Sequence, residues 1–348
     1  MTGPTGGGAI RIGIIGLGRV SADHVVGYRA LAGEAEITAV CDTDPAALLP
    51  VATELGVDGY RDHRELLARA DVDAVVVLLP HLLHGPVVRD ALTAGKHVTV
   101  EKPLAATAAE GEQLAALATK LGLVLAVSEN SRFVESYMQV ADLVARGAPG
   151  MVRLVRGLIY GSAVDEYRDD TAPWKRQEHG FAAILDAATH FFYVLAWMFG
   201  PVASVQAITR NWAATHLPGV EVEDGALVTG TLHCGAFFSV EVGLTLELPW
   251  GERFEVYGDR ASIVCDQLRD PPVIVHRGAR DPGVPLARVP AEPRTWRASS
   301  MARGAADFVR ALQEGRAPAV DTVHAVHAVR VAEAAYRSVR AGGTMQTV

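Results

Sequence analysis

A short aliphatic run, Ile10–Ile15, ends in Gly16-Leu17-Gly18-Arg19-Val20-Ser21 and passes into a helical stretch reaching about Leu31. No other feature constrains the fold as much as this strand, tight turn and helix. The first glycine permits a turn that a side chain would block. The second lets another molecule approach the backbone. The third position needs only a small residue where helix packs on strand, which Ser21 supplies. The helix start offers unpaired N–H groups and a positive dipole end, a seat for phosphate oxygens. The same spacing can serve as a mere tight turn, so its surroundings decide. A second strand, Glu36–Cys41, ends at Asp42, about 20 residues past the turn, where an acidic residue accepts from ribose hydroxyls. Asp42 would repel a 2′-phosphate and no arginine follows it closely, which favours NAD over NADP. The competing reading of Asp42, with Asp44-Pro45 after it, is a turn or helix cap.

The α/β rhythm continues with helices over Pro45–Leu55 and Arg64–Arg69 and a buried parallel strand, Asp73–Leu79. Pro80-His81-Leu82-Leu83-His84 follows that strand, at the end where ligands bind in open parallel sheets. A helix over Gly85–Ala94, a strand over His97–Val100, a helix over Ala108–Leu121 and a strand over Leu123–Val127 complete a doubly wound α/β domain. Lys102 stands at a strand end before a proline, which restricts its backbone to an extended form and aims the amine from a rigid element. A surface lysine paired with Glu101 is the plainer reading. His81 and His84 have HxxH spacing, but no third ligand is evident, so no metal site is expected.

In the second half Phe181–Phe199 is nearly all apolar and free of glycine and proline, which predicts one helix. Asp186 and His190 interrupt it four residues apart, on one helical face. Burying both is costly unless each finds a partner or faces a cavity. They are either a satisfied structural pair or an acid/base dyad. An aspartate near the centre costs about 2.5–3.5 kcal/mol on membrane insertion, so a soluble buried helix is expected. Gly161–Gly180 reads as a long charged loop carrying Trp174, Lys175, Arg176 and His179, a candidate substrate lid. Ser136–Arg146 reads as a helix. Strands are expected over Val152–Tyr160, Val202–Thr209, Ala226–His233, Ala236–Leu246, Glu252–Tyr257 and Ser262–Cys265, an irregular excursion over Arg277–Arg297, and helices over Ala302–Gln313 and Asp321–Arg340. His324 and His327 are read as surface or interdomain residues.

With 348 residues, two domains are expected, 1–128 and 129–348. A formal charge of −8 argues against a nucleic-acid partner. Cys41, Cys234 and Cys265 lack metal spacing and read as small buried residues of a reduced, cytoplasmic protein. The Gly-rich first nine residues lack the basic start and apolar core of a signal peptide and are expected to be disordered.

Taken together, Gly13–His24 (GIIGLGRVSADH), Pro80–His84 (PHLLH), Ala94–Ala105 (AGKHVTVEKPLA), Glu129–Phe133 (ENSRF) and Asp186–His190 (DAATH) resemble the Gfo/Idh/MocA family of glucose–fructose oxidoreductases and inositol dehydrogenases. Glu223-Asp224-Gly225, Glu255–Asp259 and Ala334–Gly343 extend the likeness nearly end to end. The resemblance implies a dinucleotide-binding domain followed by an α+β domain with a large, open, mostly antiparallel sheet. It implies a sugar or cyclitol dehydrogenase using NAD, and a homodimer or homotetramer packed through that sheet, while the Ala-, Gly- and Arg-rich composition suggests a high-GC bacterial source and an aminosugar or glycoside as substrate. The implied catalytic residues are Lys102, Asp186 and His190. The expected cofactor contacts are Gly16, Gly18, Arg19, Val20, Asp42, Leu79, Pro80, His81, His84, Glu101 and Lys102. Those to substrate are Arg132, Trp174, Lys175, His179, Asp186 and His190. Gly180-Phe181-Ala182 departs from a family GGG, and His81 from a common asparagine. Whether Lys102 or His190 takes the proton stays open, since the two can titrate as a coupled pair. An NADP-dependent reductase, an NAD-dependent glycoside-cleaving enzyme and a non-catalytic dinucleotide-binding regulator share the fold.

Overall fold

The computed structural model describes residues 8–169, 172–177, 180, 182–278, 280–285 and 296–348. Most of the Gly-rich start, His179, Phe181 and much of the expected 277–297 excursion lie outside them. The chain divides into two compact units, one holding the described residues up to Phe133 together with Arg297–Val326, the other Val134–Trp296 and His327–Val348. This differs from a single boundary after residue 128 in the return of Arg297–Val326.

The first unit alternates strands β1 (Ile10–Ile15), β2 (Ala35–Cys41), β3 (Asp58–Tyr60), β4 (Ala74–Val77), β5 (His97–Glu101) and β6 (Leu125–Ser128) with helices α1 (Ser21–Arg29), α2 (Pro45–Leu55), α3 (His63–Leu67), α4 (His81–Thr93) and α5 (Ala108–Leu121). The strands pair in the order β3-β2-β1-β4-β5-β6, all parallel. Local signals set several boundaries. Asp44 accepts from the Ala46 N–H ahead of α2, and Gly56 ends it in the left-handed region. Thr107 and Gly122 do the same for α5. Helix α4 starts four residues earlier than expected. His84 supports the extra turn, its ring nitrogens lying 2.7 Å from the carbonyl oxygens of Leu79 and Pro103.

The second unit begins with α6 (Glu135–Ala145), β7 (Val152–Tyr160) and α7 (Val164–Arg168). A π-helical turn, Ala183–Ala188, leads into α8 (Thr189–Phe199). Strands β8 (Val202–Arg210), β9 (Gly225–Leu232), β10 (Phe237–Gly243), β11 (Gly251–Gly258), β12 (Ser262–Asp266), β13 (Val273–His276) and β14 (Val284–Pro285) follow. Helix α9 (Trp296–Glu314) then leads back to the first unit, where its Ala302 Cα would lie 3.2 Å from a Cβ added at Gly27 of α1. Helix α10 (Thr322–Arg340) and β15 (Gln346–Thr347) end the chain. The second sheet runs β14-β13-β12-β11-β7-β10-β9-β8-β15, antiparallel except for β7 with β10. One face is apolar. There Tyr137, Phe191 and Phe254 pack ring against ring at 5.7–6.3 Å, and a Cβ at Gly157 would lie 2.7 Å from Phe191. Helix α8 therefore lies against the middle of the sheet.

Three expectations change. The 161–180 stretch carries α7 and a 3-10 turn, Pro173–Arg176, rather than loop throughout. Cys234 is exposed, in the turn between β9 and β10, while Cys41 and Cys265 are buried. His327 accepts from the Val202 N–H at 2.9 Å and so ties α10 to the start of β8. Among the described residues no helix is long and apolar enough to cross a membrane.

Candidate active site

Parallel register places three of the expected cofactor contacts, Gly16, Asp42 and Glu101, along one edge of the first unit's sheet. Cys41, Ile15, Val77, Val100 and Val127 pair in a continuous row. One residue beyond that row stand Asp42, Gly16, Leu78, Glu101 and Ser128, at the carboxyl ends where such sheets bind ligands. The chain order reverses between β1 and β4, and the glycine turn opens there.

The two glycines do different work. Gly16 has φ +96°, and a Cβ there would sit 2.2 Å from the Leu78 carbonyl oxygen. Its N–H donates to the Cys41 carbonyl at 2.8 Å. At Gly18 a Cβ would meet nothing within 4 Å, so this exposed backbone faces open space before α1. Ser21 Oγ donates to the Gly18 carbonyl at 2.7 Å, which fixes the loop from the helix side. Asp42 accepts from the Leu17 N–H at 2.7 Å and the Asp44 N–H at 2.8 Å. Asp42 thus forms the expected turn and also braces the glycine loop, with its carboxylate at the end of β2. The cradle at Gly18, the start of α1 and Asp42 together fit a dinucleotide.

Lys102 follows β5 directly and is half-buried. Its neighbours are fixed on both sides. Glu101 is buried and bonded to His24 Nε2 at 2.8 Å, with its other oxygen accepting from the Lys102 N–H at 3.2 Å. Burial, the largest influence, would raise the Glu101 carboxyl. His24, Lys102 and Arg297 outweigh it and hold the group below the usual carboxylate range. On the other side, the Pro103 carbonyl meets His84 Nδ1. Sequence reasoning missed His24. Its signal was an imidazole one turn into a helix that starts at a glycine loop.

His84 is 0% exposed, so its ring braces the Leu79 and Pro103 carbonyls from inside the unit. Burial first, then His81, push its imidazole down to about 4. The ring is therefore neutral at pH 7 and donates to one carbonyl at a time, although protonation would let it donate to both. A folded pKa below the unfolded value means that the unfolded chain binds this proton first. His84 then costs stability as pH falls from 6.5 towards 4. Between pH 7 and pH 5 wild type is expected to lose about 2 kcal/mol more than His84→Gln. Urea unfolding at the two pH values measures this, and equal losses would mean that the buried ring keeps its ordinary affinity for protons.

In the second unit, Asp186 is 8% exposed and lies in the π-helical turn, while His190 is half-buried in the first turn of α8. The expected single α-helix is thus split. The N–H groups of Asp186 and Ala187 both reach the Ala182 carbonyl, at 3.0 and 3.2 Å. Thr189 Oγ1 donates to the carbonyls of Leu185 and Asp186, at 2.8 and 3.2 Å. A hydroxyl bonded to those carbonyls competes with the backbone ladder, and π turns of this kind are frequent at functional sites.

The remaining expected substrate contacts divide. Arg132 is half-buried in the 3-10 turn Asn130–Phe133 of the first unit. Trp174 is half-buried in the second. Lys175 is 8% exposed and its Nζ donates to Glu166 at 2.8 Å and Asp169 at 3.3 Å. It ties the 3-10 turn Pro173–Arg176 to Glu166 of α7 and to Asp169. Gly180 is packed so closely on the carbonyls of Trp174, Lys175 and Gln177 that a Cβ would lie 2.3–2.7 Å from each. Among the described residues no cluster of His, Cys, Asp and Glu could hold a metal ion.

Comparison with known proteins gives two matches that cover most of the chain. A family described as oxidoreductases with an NAD-binding Rossmann fold matches residues 10–129, and the C-terminal alpha/beta domain of the same family matches residues 142–347. A dTDP-3,4-didehydro-2,6-dideoxy-alpha-D-glucose 3-reductase of Streptomyces violaceoruber is 31% identical over 269 residues, 76% of this chain and 75% of its own. Myo-inositol 2-dehydrogenase of Thermotoga maritima is 26% identical over 271 residues, 76% of this chain and 78% of its own. Among solved structures, levoglucosan dehydrogenase in complex with NADH and levoglucosan superposes with a TM-score of 0.86 at 22% identity, covering 98% of this chain and 99% of its own.

Proposed function

This chain belongs to the Gfo/Idh/MocA family of NAD-binding oxidoreductases, and from that premise we propose that it moves a hydride between a secondary alcohol carbon of a sugar, aminosugar or cyclitol and NAD. The observation that carries this reading is the division of equipment: a dinucleotide seat with Lys102 beside it on one sheet edge, and a buried aspartate one turn before a histidine on α8. Relatives named for a deoxysugar reductase and an inositol dehydrogenase support the substrate class.

The chemistry follows from the groups. Bound NAD supplies the hydride acceptor. Gly18, the α1 N-terminus and Asp42 hold the pyrophosphate and ribose, and the Asp42 charge disfavours a 2′-phosphate. Lys102 Nζ donates to the reacting oxygen and stabilises negative charge as it develops there. An imidazole nitrogen of His190 takes the hydroxyl proton, its ordinary range lying nearest neutrality. Asp186 accepts from a neighbouring hydroxyl and orients the sugar. Arg132 and Trp174 add a cation and a ring face for a hydroxyl-rich ligand.

The open face of the second sheet carries Phe237 at 64% exposure, with Leu227 and Ile208 also exposed. We place a homodimer or homotetramer contact there, in a cytoplasmic enzyme of a bacterium. The test is one set of assays on the purified protein. NADH and NADPH formation at 340 nm is followed with inositols, hexoses, aminosugars and glycosides, and NADH consumption with keto-sugars, with light scattering on the same sample. NADH formation with a polyol, absent with NADP, is expected. Bound NADH with no turnover across the panel would replace the enzyme with a dinucleotide-binding regulator, and a monomeric mass would remove the sheet contact.

A further inference from the structure

Glu223 and Asp224 are adjacent, yet they serve different layers of the second unit. Asp224 is wholly buried and belongs to the sheet. Its carboxylate accepts from the Trp212 N–H at 2.6 Å and from the Thr245 hydroxyl. Its backbone N–H donates to the Arg210 carbonyl at 3.1 Å and its carbonyl accepts from Leu244 at 2.8 Å, so it staples the ends of β8 and β10. Glu223 faces the π-helical turn. Its carbonyl accepts from the Ala183 N–H at 2.9 Å, and its Oε1 accepts from the Ile184 N–H at 3.0 Å and from Tyr336 Oη at 2.8 Å.

The first N–H groups of a helix have no partner within it. Here one residue takes two of them, at the turn that carries Asp186. The hold is rigid because each end is fixed. Asp224 fastens the backbone of Glu223 to the sheet, and Tyr336 on α10 fixes the orientation of its carboxylate.

We infer that Glu223, oriented by Tyr336, is a positioning residue that sets where Asp186 and His190 stand by holding the start of the π-helical turn. The inference deepens the proposed function and rests on Asp186 and His190 being the groups that touch substrate. What the turn requires of Glu223 is an acceptor oxygen at Oε1. A glutamine supplies one and an alanine does not.

The test compares Glu223→Ala, Glu223→Gln and Tyr336→Phe in steady-state kinetics and NADH titration, with Asp186→Ala and His190→Ala alongside. Glu223→Ala is expected to lower kcat by roughly 10- to 100-fold, the scale of a misplacement of about 1 Å, with NADH affinity unchanged. Glu223→Gln is expected to recover most of that rate, and Tyr336→Phe to fall between them. Added to Asp186→Ala, the Glu223→Ala change should cost little further. A glutamine variant as slow as the alanine variant would overturn the inference, since the charge and not the hold would then matter. So would an alanine variant with wild-type kcat. If Glu223→Ala does not fold, a near-normal Gln variant beside a slowed Tyr336→Phe supports the inference, and an unaffected Tyr336→Phe overturns it. Wild-type turnover in Asp186→Ala and His190→Ala removes the reading of those residues and this inference with it. Their loss beside an unimpaired Glu223→Ala removes this inference alone.

Discussion

Lys102→Met is expected to lower kcat by at least roughly 10²-fold, the scale of lost help at an oxygen that gains charge in the transition state, while NADH binds almost as before. The expectation comes from where the amine is mounted. Lys102 stands one residue beyond β5, with Glu101 anchored to His24 before it and the Pro103 carbonyl braced by His84 after it. The backbone is fixed on both sides, so a methionine of similar length occupies the same path without supplying the N–H. Lys102→Arg does not restore the rate on this view, because a planar guanidinium replaces a compact ammonium. The measurement is steady-state turnover on the best substrate of the 340 nm panel, with NADH affinity by fluorescence. Turnover near wild type in the methionine variant would place Lys102 outside the chemistry and return it to a paired surface lysine.

Much of the fold was legible because its signals are local. Helix α2 keeps the expected limits Pro45–Leu55, since Asp44 and Gly56 mark its ends within the segment itself. Helix α5 keeps Ala108–Leu121 for the same reason, between Thr107 and Gly122. Strand β7 spans the expected Val152–Tyr160 because the run alternates between the two faces of the sheet. What was not legible depends on partners distant in sequence. Nothing near Phe181 indicates that Glu223 takes the first N–H groups of the next turn, or that Tyr336 reaches back to that carboxylate. The extra turn at the start of α4 depends on His84 meeting Pro103. An apolar segment carrying an aspartate could be recognised as unusual, but the π geometry that accommodates it comes from Thr189 and from the neighbouring sheet.

The glycine loop offers the other large effect, and the two glycines divide it between them. Gly16→Ala is expected to damage the fold itself. A side chain at φ +96° costs about 1–2 kcal/mol before any contact is counted. The added Cβ would lie 2.2 Å from the Leu78 carbonyl oxygen and 2.7 Å from its carbon, both backbone atoms of the segment after β4. Backbone cannot rotate out of the way as a side chain can, so β1 and β4 must separate where Leu78 donates to Ile15 at 2.8 Å. A loss of roughly 3–5 kcal/mol in urea unfolding is expected, in the range reserved for strain at a special backbone conformation. Gly18→Ala should behave in the opposite way. Its Cβ meets nothing within 4 Å, so the unliganded protein keeps its unfolding midpoint. The methyl group instead stands where the pyrophosphate approaches the backbone, and NADH affinity is expected to fall by at least about 10-fold, or 1.4 kcal/mol. The contrast separates a turn that shapes the sheet edge from a surface that receives a ligand. Gly18→Ala binding NADH as tightly as wild type would move the dinucleotide away from this loop, and the assignment of the neighbouring Asp42 and Lys102 would move with it.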